Sequence, residues 1–440
     1  MPSYIIRSMR KMFSHCLKLS YKDTAQQNSY VTIPRAANSF DNTEIAANVD
    51  EDIIDSLTGG RLVGSVTSFE NFAECPLRYY LRYGVDLKER EEFTFSPVNF
   101  GVVLHAVIRE VCDEIKKNGE SYYLISEEKR REMVKRSVAA ITDIYQNSIL
   151  KDSSRNSFMI KRMEDLADRT VWAMGEQLKC GDFVPFVFEH KFNMEVGDGD
   201  RKQLMSGTID RVDICENGTD VYVRIIDYKT GKKDFNIVKT YYGIDIQLMV
   251  YMEAAMKLVA KMRPGKNVIP AGVFYYNISD PIVSATTESA EEIEDKIKGE
   301  LRLKGMVNSD KDIAEKMDNT EGTSLNIPVS RKADGGFDSR RSKVMNTEQF
   351  NILGRFVDVR AIDTADRIAG GDIRRSPYKD GQFSSCDRCP YGAVCGFSVD
   401  LPGCNYRKLK KFDDEVLWNN IKEGVDENGK KMDTGAEERD

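Results

Sequence analysis

Apolar positions recur at helical spacing over several long stretches and alternate at strand spacing in one compact region. Over residues 101–117, Leu104, Ile108, Val111 and Ile115 fall on one face, which predicts an amphipathic helix with His105 beside its stripe. Upstream, Thr67-Ser68-Phe69-Glu70 has capping-box spacing. Pro76 suits the first turn of a further helix, with Cys75 at its cap and Tyr79, Tyr80 and Tyr83 along it. Residues 203–215, a turn at Asn217-Gly218 and residues 221–229 predict a β-hairpin. Its second strand is largely apolar, as a buried central strand should be. Helices are predicted over 242–262 and from about Thr347 to Ala369, with a strand inside 273–283. The charged stretch 120–180 is mostly helical in pattern, and 285–345 is weakly patterned. Both read as insertions of helices and loops. Residues 1–60 read as the remnant of an upstream region or a linker, 61–410 as the body of the domain, and 411–440 as a polar tail.

Composition narrows the classes. The 440 residues carry 64 Lys and Arg against 71 Asp and Glu, a net charge of -7, so no whole-chain positive field draws in nucleic acid or anionic lipid. Any such contact is local. No apolar run approaches the roughly 18 residues of a membrane span, and no membrane partner is expected. The basic first twenty residues lack the apolar core of a secretory signal and read as an ordinary amphipathic segment rather than a transit peptide. The nine cysteines are an odd number, and Cys386, Cys389, Cys395 and Cys404 crowd together. That pattern suits a reduced compartment, and a metal or cluster site rather than a disulfide framework. Cys16, Cys112, Cys180 and Cys215 read as small buried hydrophobes.

The hairpin carries the chemistry. Side chains alternate along a strand, so Asp227 and Lys229 project to the same face, and Asp210 on the neighbouring strand approaches Asp227 across the sheet. Two close carboxylates repel unless a cation lies between them, and hard oxygen ligands suit Mg2+ or Mn2+. Such an ion activates water for phosphodiester hydrolysis, with the lysine positioning the nucleophile or offsetting developing charge. A lone D-x-K is more often an ion pair at a strand end. Here Gln247 and Tyr251 stand four apart on the next helix, where they can bond a phosphate or hold Lys229. A lone histidine beside an apolar face is usually a satisfied core residue, yet His105 is a candidate additional metal ligand. Ser126-x-x-Lys129 with Lys229-Thr230-Gly231 superficially fits a penicillin-binding serine enzyme, but no S-D-N lies between them.

The ordered set G-x-x-x-H at Gly101 and His105, G-x-x-D at Gly207 and Asp210, D-Y-K-T-G from Asp227, and Q-x-x-x-Y at Gln247 and Tyr251 resembles the RecB-like branch of the PD-(D/E)XK nuclease superfamily. The resemblance implies an α/β, restriction-endonuclease-like core: a central mixed β-sheet flanked by helices, here with helical insertions. It implies that His105, Asp210, Asp227 and the Tyr228 carbonyl bind the metal, that Lys229 is catalytic, and that Gln247 and Tyr251 assist. Glu189 falls where the family often has an acidic residue.

Cys386-x2-Cys389-x5-Cys395 is a second constellation, since closely spaced thiols suggest zinc or an iron-sulfur cluster. On spacing alone the fourth ligand is either Cys404 or the distant Cys75 of Cys-Pro-Leu-Arg-Tyr-Tyr. From about Gly64 to Leu409 the chain resembles the C-terminal nuclease domain of AddB-type helicase-nuclease proteins, which implies a 4Fe-4S cluster held by Cys75, Cys386, Cys389 and Cys395 as a structural staple. It further implies DNA as substrate, an AddA-type helicase-nuclease as partner, a role in double-strand-break repair by recombination, and a bacterial cytoplasm. Proteins of that family are much longer, so the chain reads as a fragment or a split gene product; it has no G-x4-G-K-[ST] loop for ATP. Phosphate contacts are expected from Lys229, Lys232, Lys233, Arg374 and Arg375. The competing readings are a free-standing CRISPR-associated iron-sulfur exonuclease, which would be more compact, and a nuclease-dead DNA-binding scaffold, against which Asp210, Asp227 and Lys229 weigh.

Overall fold

The structure is a computed structural model that describes residues 63–88, 97–144, 154–196, 203–284, 289–401 and 404–437. The expected 1–60 remnant and Cys16 lie outside the described residues. A seven-stranded mixed sheet organises the chain. Its strands are β1 (Val63–Ser65), β2 (Val184–Val196), β3 (Gln203–Asn217), β4 (Asp220–Lys229), β5 (Asn267–Asn277), β6 (Lys304–Asn308) and β7 (Val344–Met345). They run in the order β1-β3-β4-β5-β6-β7, with β2 paired to β3. The expected hairpin is β3 and β4, antiparallel from Arg211 opposite Ile226 to Asn217 opposite Asp220. β4 then pairs in parallel with β5, which makes it an interior strand. Its residues 221–228 are all buried, which is why they read as an apolar run rather than an alternation.

Helices cover both faces. On one lie α1 (Val66–Glu74), α7 (Gln247–Met262), α10 (Thr347–Ala369) and α12 (Asp414–Glu437), packing around Val223, Ile225, Val273 and Tyr275. On the other lie α3 (Pro97–Lys117), α4 (Glu127–Ile144) and α5 (Ser154–Lys179), packing around Ile226, Tyr228, Phe274 and Tyr276. Adjacent residues such as Ile225 and Ile226 thus serve opposite cores, as a period of two requires. The α3 stripe of Leu104, Ile108, Val111 and Ile115 is buried as its spacing predicts. Smaller elements complete the described residues: α2 (Pro76–Tyr79) leading into a π-helical turn at Tyr80–Gly84, α6 (Ile237–Tyr241), α8 (Ala290–Glu300), α9 (Lys311–Met317), α11 (Gly392–Cys395) and a small sheet of β8 (Tyr378–Asp380), β9 (Phe383–Ser384) and β10 (Arg407–Lys408).

Three expectations are corrected. Residues 285–345 are not wholly an insertion, because β6 and β7 extend the main sheet from within them. β6 is only five residues long, too short to show a period, and Gly305 packs so close to β5 that a Cβ there would sit 1.9 Å from the Val273 carbonyl oxygen. The expected polar tail is helical from Asp414, and Leu417 and Ile421, one turn apart, are buried against α10. The cap of α1 is Ser65, whose hydroxyl accepts from the Ser68 amide, rather than Thr67.

A charged group lies deep in the sheet. Asp213 on β3 accepts from Arg211 at 2.7 and 2.6 Å and from Arg224 on β4 at 2.9 Å, with all three at most 1% exposed. The Arg224 guanidinium also stacks over Phe183 at 4.8 Å. Burial raises the Asp213 carboxyl, but the two guanidinium charges outweigh it and hold it below its ordinary value. Removing the carboxylate strands two buried cations, so Asp213→Ala should cost about 3–5 kcal/mol, read as a shift in the urea midpoint. A shift below about 1 kcal/mol would show that the guanidinium groups find other partners.

Candidate active site

The site forms where two paired strands part. β2 occupies one edge of β3 from Gln203 to Ile214, so β1 and β4 share the other. β1 ends its pairing at Ser206 and β4 begins at Arg211, which leaves residues 207–210 of β3 without a neighbour on that edge. β4 likewise leaves β3 after Ile226 while Asp227, Tyr228 and Lys229 stay paired to β5. Asp210 spans the fork: its Oδ2 accepts from the Tyr228 amide at 2.7 Å, supplying by side chain the bond that the ladder no longer makes. The Tyr228 ring is buried edge-on to His105 and Tyr276, with centroids 5.9 and 5.8 Å away.

Three metal-ligating side chains converge here. His105 from α3 places Nδ1 3.5 Å from Asp210 Oδ1 and 3.7 Å from Glu189 Oε1, and one ligand atom from each of the three lies within 4.8 Å of the others. Burial lowers the His105 pKa, but the Asp210 and Glu189 carboxylates outweigh it and push it up to about 10. Asp227, 2% exposed, has its Oδ2 2.5 Å from Lys229 Nζ, yet that oxygen receives no hydrogen bond of ordinary geometry. Burial, and then the Asp210 charge, push the Asp227 carboxyl up to about 7 against the pull of Lys229. An imidazole, two carboxylates and a nearby under-bonded carboxylate oxygen form a donor set that fits Mg2+ or Mn2+. Of the residues expected to bind metal, His105 and Asp210 come together directly, Asp227 stands against Lys229, and Tyr228 contributes its amide to Asp210.

Gln247 and Tyr251 lie on one face of α7, joined by a 2.9 Å bond from Gln247 Nε2 to the Tyr251 hydroxyl. Tyr251 packs edge-on to Phe192 over Gly207, where a Cβ would sit 2.7 Å from the Phe192 ring and 3.0 Å from that of Tyr251. The glycine of G-x-x-D is therefore a packing requirement. Gly101 is likewise in contact with the loop after Lys229, since its Cβ would meet Thr230 at 3.5 Å.

Sequence reasoning passes over two contributors and leaves the role of a third open. Glu70, read as half of a local capping box, instead reaches across the fold: its Oε1 accepts from the Ile246 and Gln247 amides at 3.0 Å each and so caps α7, whose own N-cap residue makes no side-chain bond. Burial raises the Glu70 carboxyl to about 7, against the pull of Lys233. Asp245 accepts from the Tyr275 hydroxyl at 2.7 Å and pairs with Lys233 at 3.0 Å, while Lys229 and Lys233 both lie over the Tyr275 ring. Glu189 was placed in the family pattern but given no role. Its φ of 48° interrupts the strand pairing that resumes on either side, and its carboxylate is a member of the histidine cluster. No period-two pattern reveals such a residue.

The cysteines form a second assembly. Cys75, Cys386, Cys389 and Cys395 line one small cavity together with Leu77, Leu81, Pro377 and Phe397, whereas the buried Cys404 is not among its lining residues. The Phe397 amide donates to Cys395 Sγ at 3.3 Å, and the nearby Arg78, Ser376 and Leu77 amides favour the Cys75 thiolate. Burial raises the Cys75, Cys386 and Cys395 thiols. Four convergent thiols with N–H donors aimed at sulfur fit an iron-sulfur cluster. Arg374 and Arg375, expected to contact phosphate, lie next to this assembly: Arg374 pairs with Asp372 at 2.7 Å, and Arg375 lines the cavity and donates to the Cys395 carbonyl.

A forked mixed sheet with an aspartate on each prong, and a lysine two residues beyond one of them, defines a PD-(D/E)XK nuclease fold. The chain belongs to that superfamily, whose family model matches residues 64–396. It is similar to bacterial proteins named as the B subunit of ATP-dependent helicase/deoxyribonuclease. It is 34% identical over 399 residues to that of Lachnoclostridium phytofermentans, covering 88% of this chain and 34% of the relative. It is 34% identical over 398 residues to that of Caldanaerobacter subterraneus subsp. tengcongensis (88% and 34%) and 34% over 383 residues to that of Clostridium acetobutylicum (85% and 33%). The chain thus spans about a third of the length of these relatives.

The Glu189 backbone separates strain from chemistry. A non-glycine residue at this φ costs on the order of 1 kcal/mol, so Glu189→Gly should be more stable than Glu189→Ala by about that much, the reverse of the usual order in a strand. Both variants should bind Mn2+ at least about tenfold more weakly in calorimetric titration. Equal stabilities would remove the strain, and wild-type affinity in both would remove Glu189 from the candidate metal site.

Proposed function

We propose that the chain is the nuclease module of an AddB-type protein of an AddAB helicase-nuclease: a Mg2+- or Mn2+-dependent DNA exonuclease that degrades DNA ends in double-strand-break repair by homologous recombination. The partner is an AddA-type helicase-nuclease, and the setting is a bacterial cytoplasm; no helix among the described residues is long and apolar enough to cross a membrane. The observation that carries this reading is the convergence of His105, Glu189 and Asp210 beside the Asp227–Lys229 pair at the fork.

His105, Glu189 and Asp210, with Asp227 beside them, would hold the ion. When bound, it polarises a phosphate oxygen and lowers the pKa of water. Lys229, half-buried and directed at Asp227, orients the attacking water and offsets the charge that develops on phosphorus. Gln247 and Tyr251, rigidly joined and fixed by the Glu70 cap, present polar groups to the same region. In the second assembly, Cys75, Cys386, Cys389 and Cys395 would hold a 4Fe-4S cluster with a structural role. It would join α1 and α2 to the C-terminal segment by closing a loop of roughly 300 residues.

Digestion of end-labelled DNA with Mg2+ or Mn2+, but not with EDTA, is the test. Asp227→Ala should lower cleavage about a hundredfold or more without unfolding the protein. Cleavage at the wild-type rate would remove the catalytic assignment. Cys389→Ala should abolish the visible absorption of anaerobically purified protein and lower its melting temperature by roughly 5 °C or more. An unchanged melting temperature with the cluster absent would show the cysteines to be incidental.

A further inference from the structure

Two lysines share one aromatic ring beside the fork. Tyr275 stands opposite Asp227 in the parallel register of β4 and β5 and is fully buried. Lys233 Nζ lies 4.5 Å from the centre of its ring and Lys229 Nζ lies 5.5 Å from it. Each ammonium has its own carboxylate: Lys229 Nζ is 2.5 Å from Asp227 Oδ2, and Lys233 Nζ is 3.0 Å from Asp245 Oδ1. The Tyr275 hydroxyl donates to that same Asp245 oxygen at 2.7 Å. Tyr275 therefore bridges the two pairs, with Asp227 as its neighbour across the strands and Asp245 as the acceptor of its hydroxyl.

Both members of the second pair are anchored through their main chains. The Asn277 side chain clasps Lys233, accepting from its amide and donating to its carbonyl at 3.0 Å each. The Asp245 carbonyl accepts from the buried Thr240 hydroxyl at 2.8 Å, and the next amide, that of Ile246, is taken by Glu70. Burial lowers the Lys233 pKa, but Asp245 and then Glu70 outweigh it and hold it above its ordinary value. Asp245 is 4% exposed, so water cannot satisfy its charge, and a carboxylate in that position attracts whichever ammonium reaches it. A lysine ammonium is a point charge on a flexible four-carbon stem, so nothing in Lys229 itself dictates which carboxylate beside the ring it takes. The face of the ring attracts both ammonium groups alike. Their mutual repulsion and the two carboxylates are what sort them.

We infer that Lys233 is a positioning residue for Lys229: by occupying Asp245 over the Tyr275 ring, it closes that carboxylate to the Lys229 ammonium and so keeps the ammonium on Asp227 at the fork. The inference rests on the nuclease reading for its effect on rate, whereas the choice of partner is a matter of geometry alone. It gives Lys233 a different part from the phosphate contact expected of it, because its ammonium is already engaged by a buried carboxylate. The two parts leave different kinetic traces. Loss of a contact made equally in ground and transition states raises KM at unchanged kcat, whereas displacement of a group that acts in the chemical step lowers kcat.

The test compares the full chain with Lys233→Met, with the double variant Lys233→Met, Asp245→Asn, and with the conservative Lys233→Arg. Crystal structures read where the Lys229 ammonium lies, and cleavage of end-labelled DNA with Mn2+, well below each melting temperature, reads kcat and KM. In Lys233→Met the Lys229 ammonium should leave Asp227 for hydrogen-bond distance of Asp245, and kcat should fall about tenfold or more with KM changed by about threefold or less. Asp245→Asn removes the competing charge, so the double variant should return Lys229 to Asp227 and recover kcat to within about threefold of wild type. Lys233→Arg keeps a cation on Asp245 and should hold most of the rate. Lys233→Gln, which keeps a hydrogen-bond donor without the charge, guards against misfolding of the methionine variant and should change the Lys229 position and kcat in the same direction by less. An unmoved Lys229 in Lys233→Met, or a double variant no faster than the single one, would overturn the inference. So would a raised KM at unchanged kcat, which would make Lys233 a phosphate contact. A wild-type chain that cuts no DNA would count against the nuclease reading, and the position of Lys229 in the variants would still decide the inference.

Discussion

The separation of β3 from β4 is the constraint on which the rest depends. As long as two strands remain paired, their facing edges are occupied by backbone hydrogen bonds and their side chains point into the helical layers. Where the ladder stops at Arg211 and Ile226, Asp210 and Asp227 are freed to face a shared space, and the Tyr228 amide is left in need of an acceptor. Asp210 meets that need with one oxygen and turns the other toward His105. A single carboxylate therefore holds the fork open and furnishes the site. The seven-stranded sheet and its two helical layers keep the fork rigid, because β4 stays paired to β5 past Asp227 and cannot close back onto β3.

Much of this is legible in the chain, and the parts that are not share a cause. Asp227 and Lys229 share a face by strand periodicity, Gln247 and Tyr251 by helical periodicity, and the α3 stripe by the same rule. Glu189 escapes because its backbone departs from the period at the point where it matters, and Glu70 because its partners lie 176 and 177 residues away. Its local spacing offered a plausible but incorrect use as a capping partner. β6 and β7 escape for want of length, and α12 because only two buried positions, Leu417 and Ile421, distinguish its start from a solvated tail. Local rules succeed where one element decides the outcome and fail where a residue serves another element.

The fold accepts strain and buried charge around the fork. Glu189 sits at a left-handed φ, Asp227 is buried with an under-bonded oxygen, and Glu70 is half-buried at a helix terminus. Each is unfavourable alone, and such features persist where the surroundings over-determine them. Against the effect of burial, the Asp210 and Glu189 carboxylates raise the His105 pKa because positive charge is favoured between them.

The two assemblies are mechanically joined through α1. That helix begins at the end of β1, sends Glu70 to the first amides of α7, and terminates at Cys75, one of the four thiols around the cysteine cavity. The C-terminal segment grips the same region from the other side: the Leu77 amide donates to the Arg374 carbonyl, Arg407 to the Ala73 carbonyl, and the Tyr391 hydroxyl to the Leu87 carbonyl. A displacement of Cys75 would therefore move Glu70 little more than one helical turn away, and with it the amides that set the position of Gln247. A staple at the cysteines, although distant in sequence from the fork, would act on the orientation of α7 through one short and well-packed helix. The proposed cluster would thus bear on the fork without touching it.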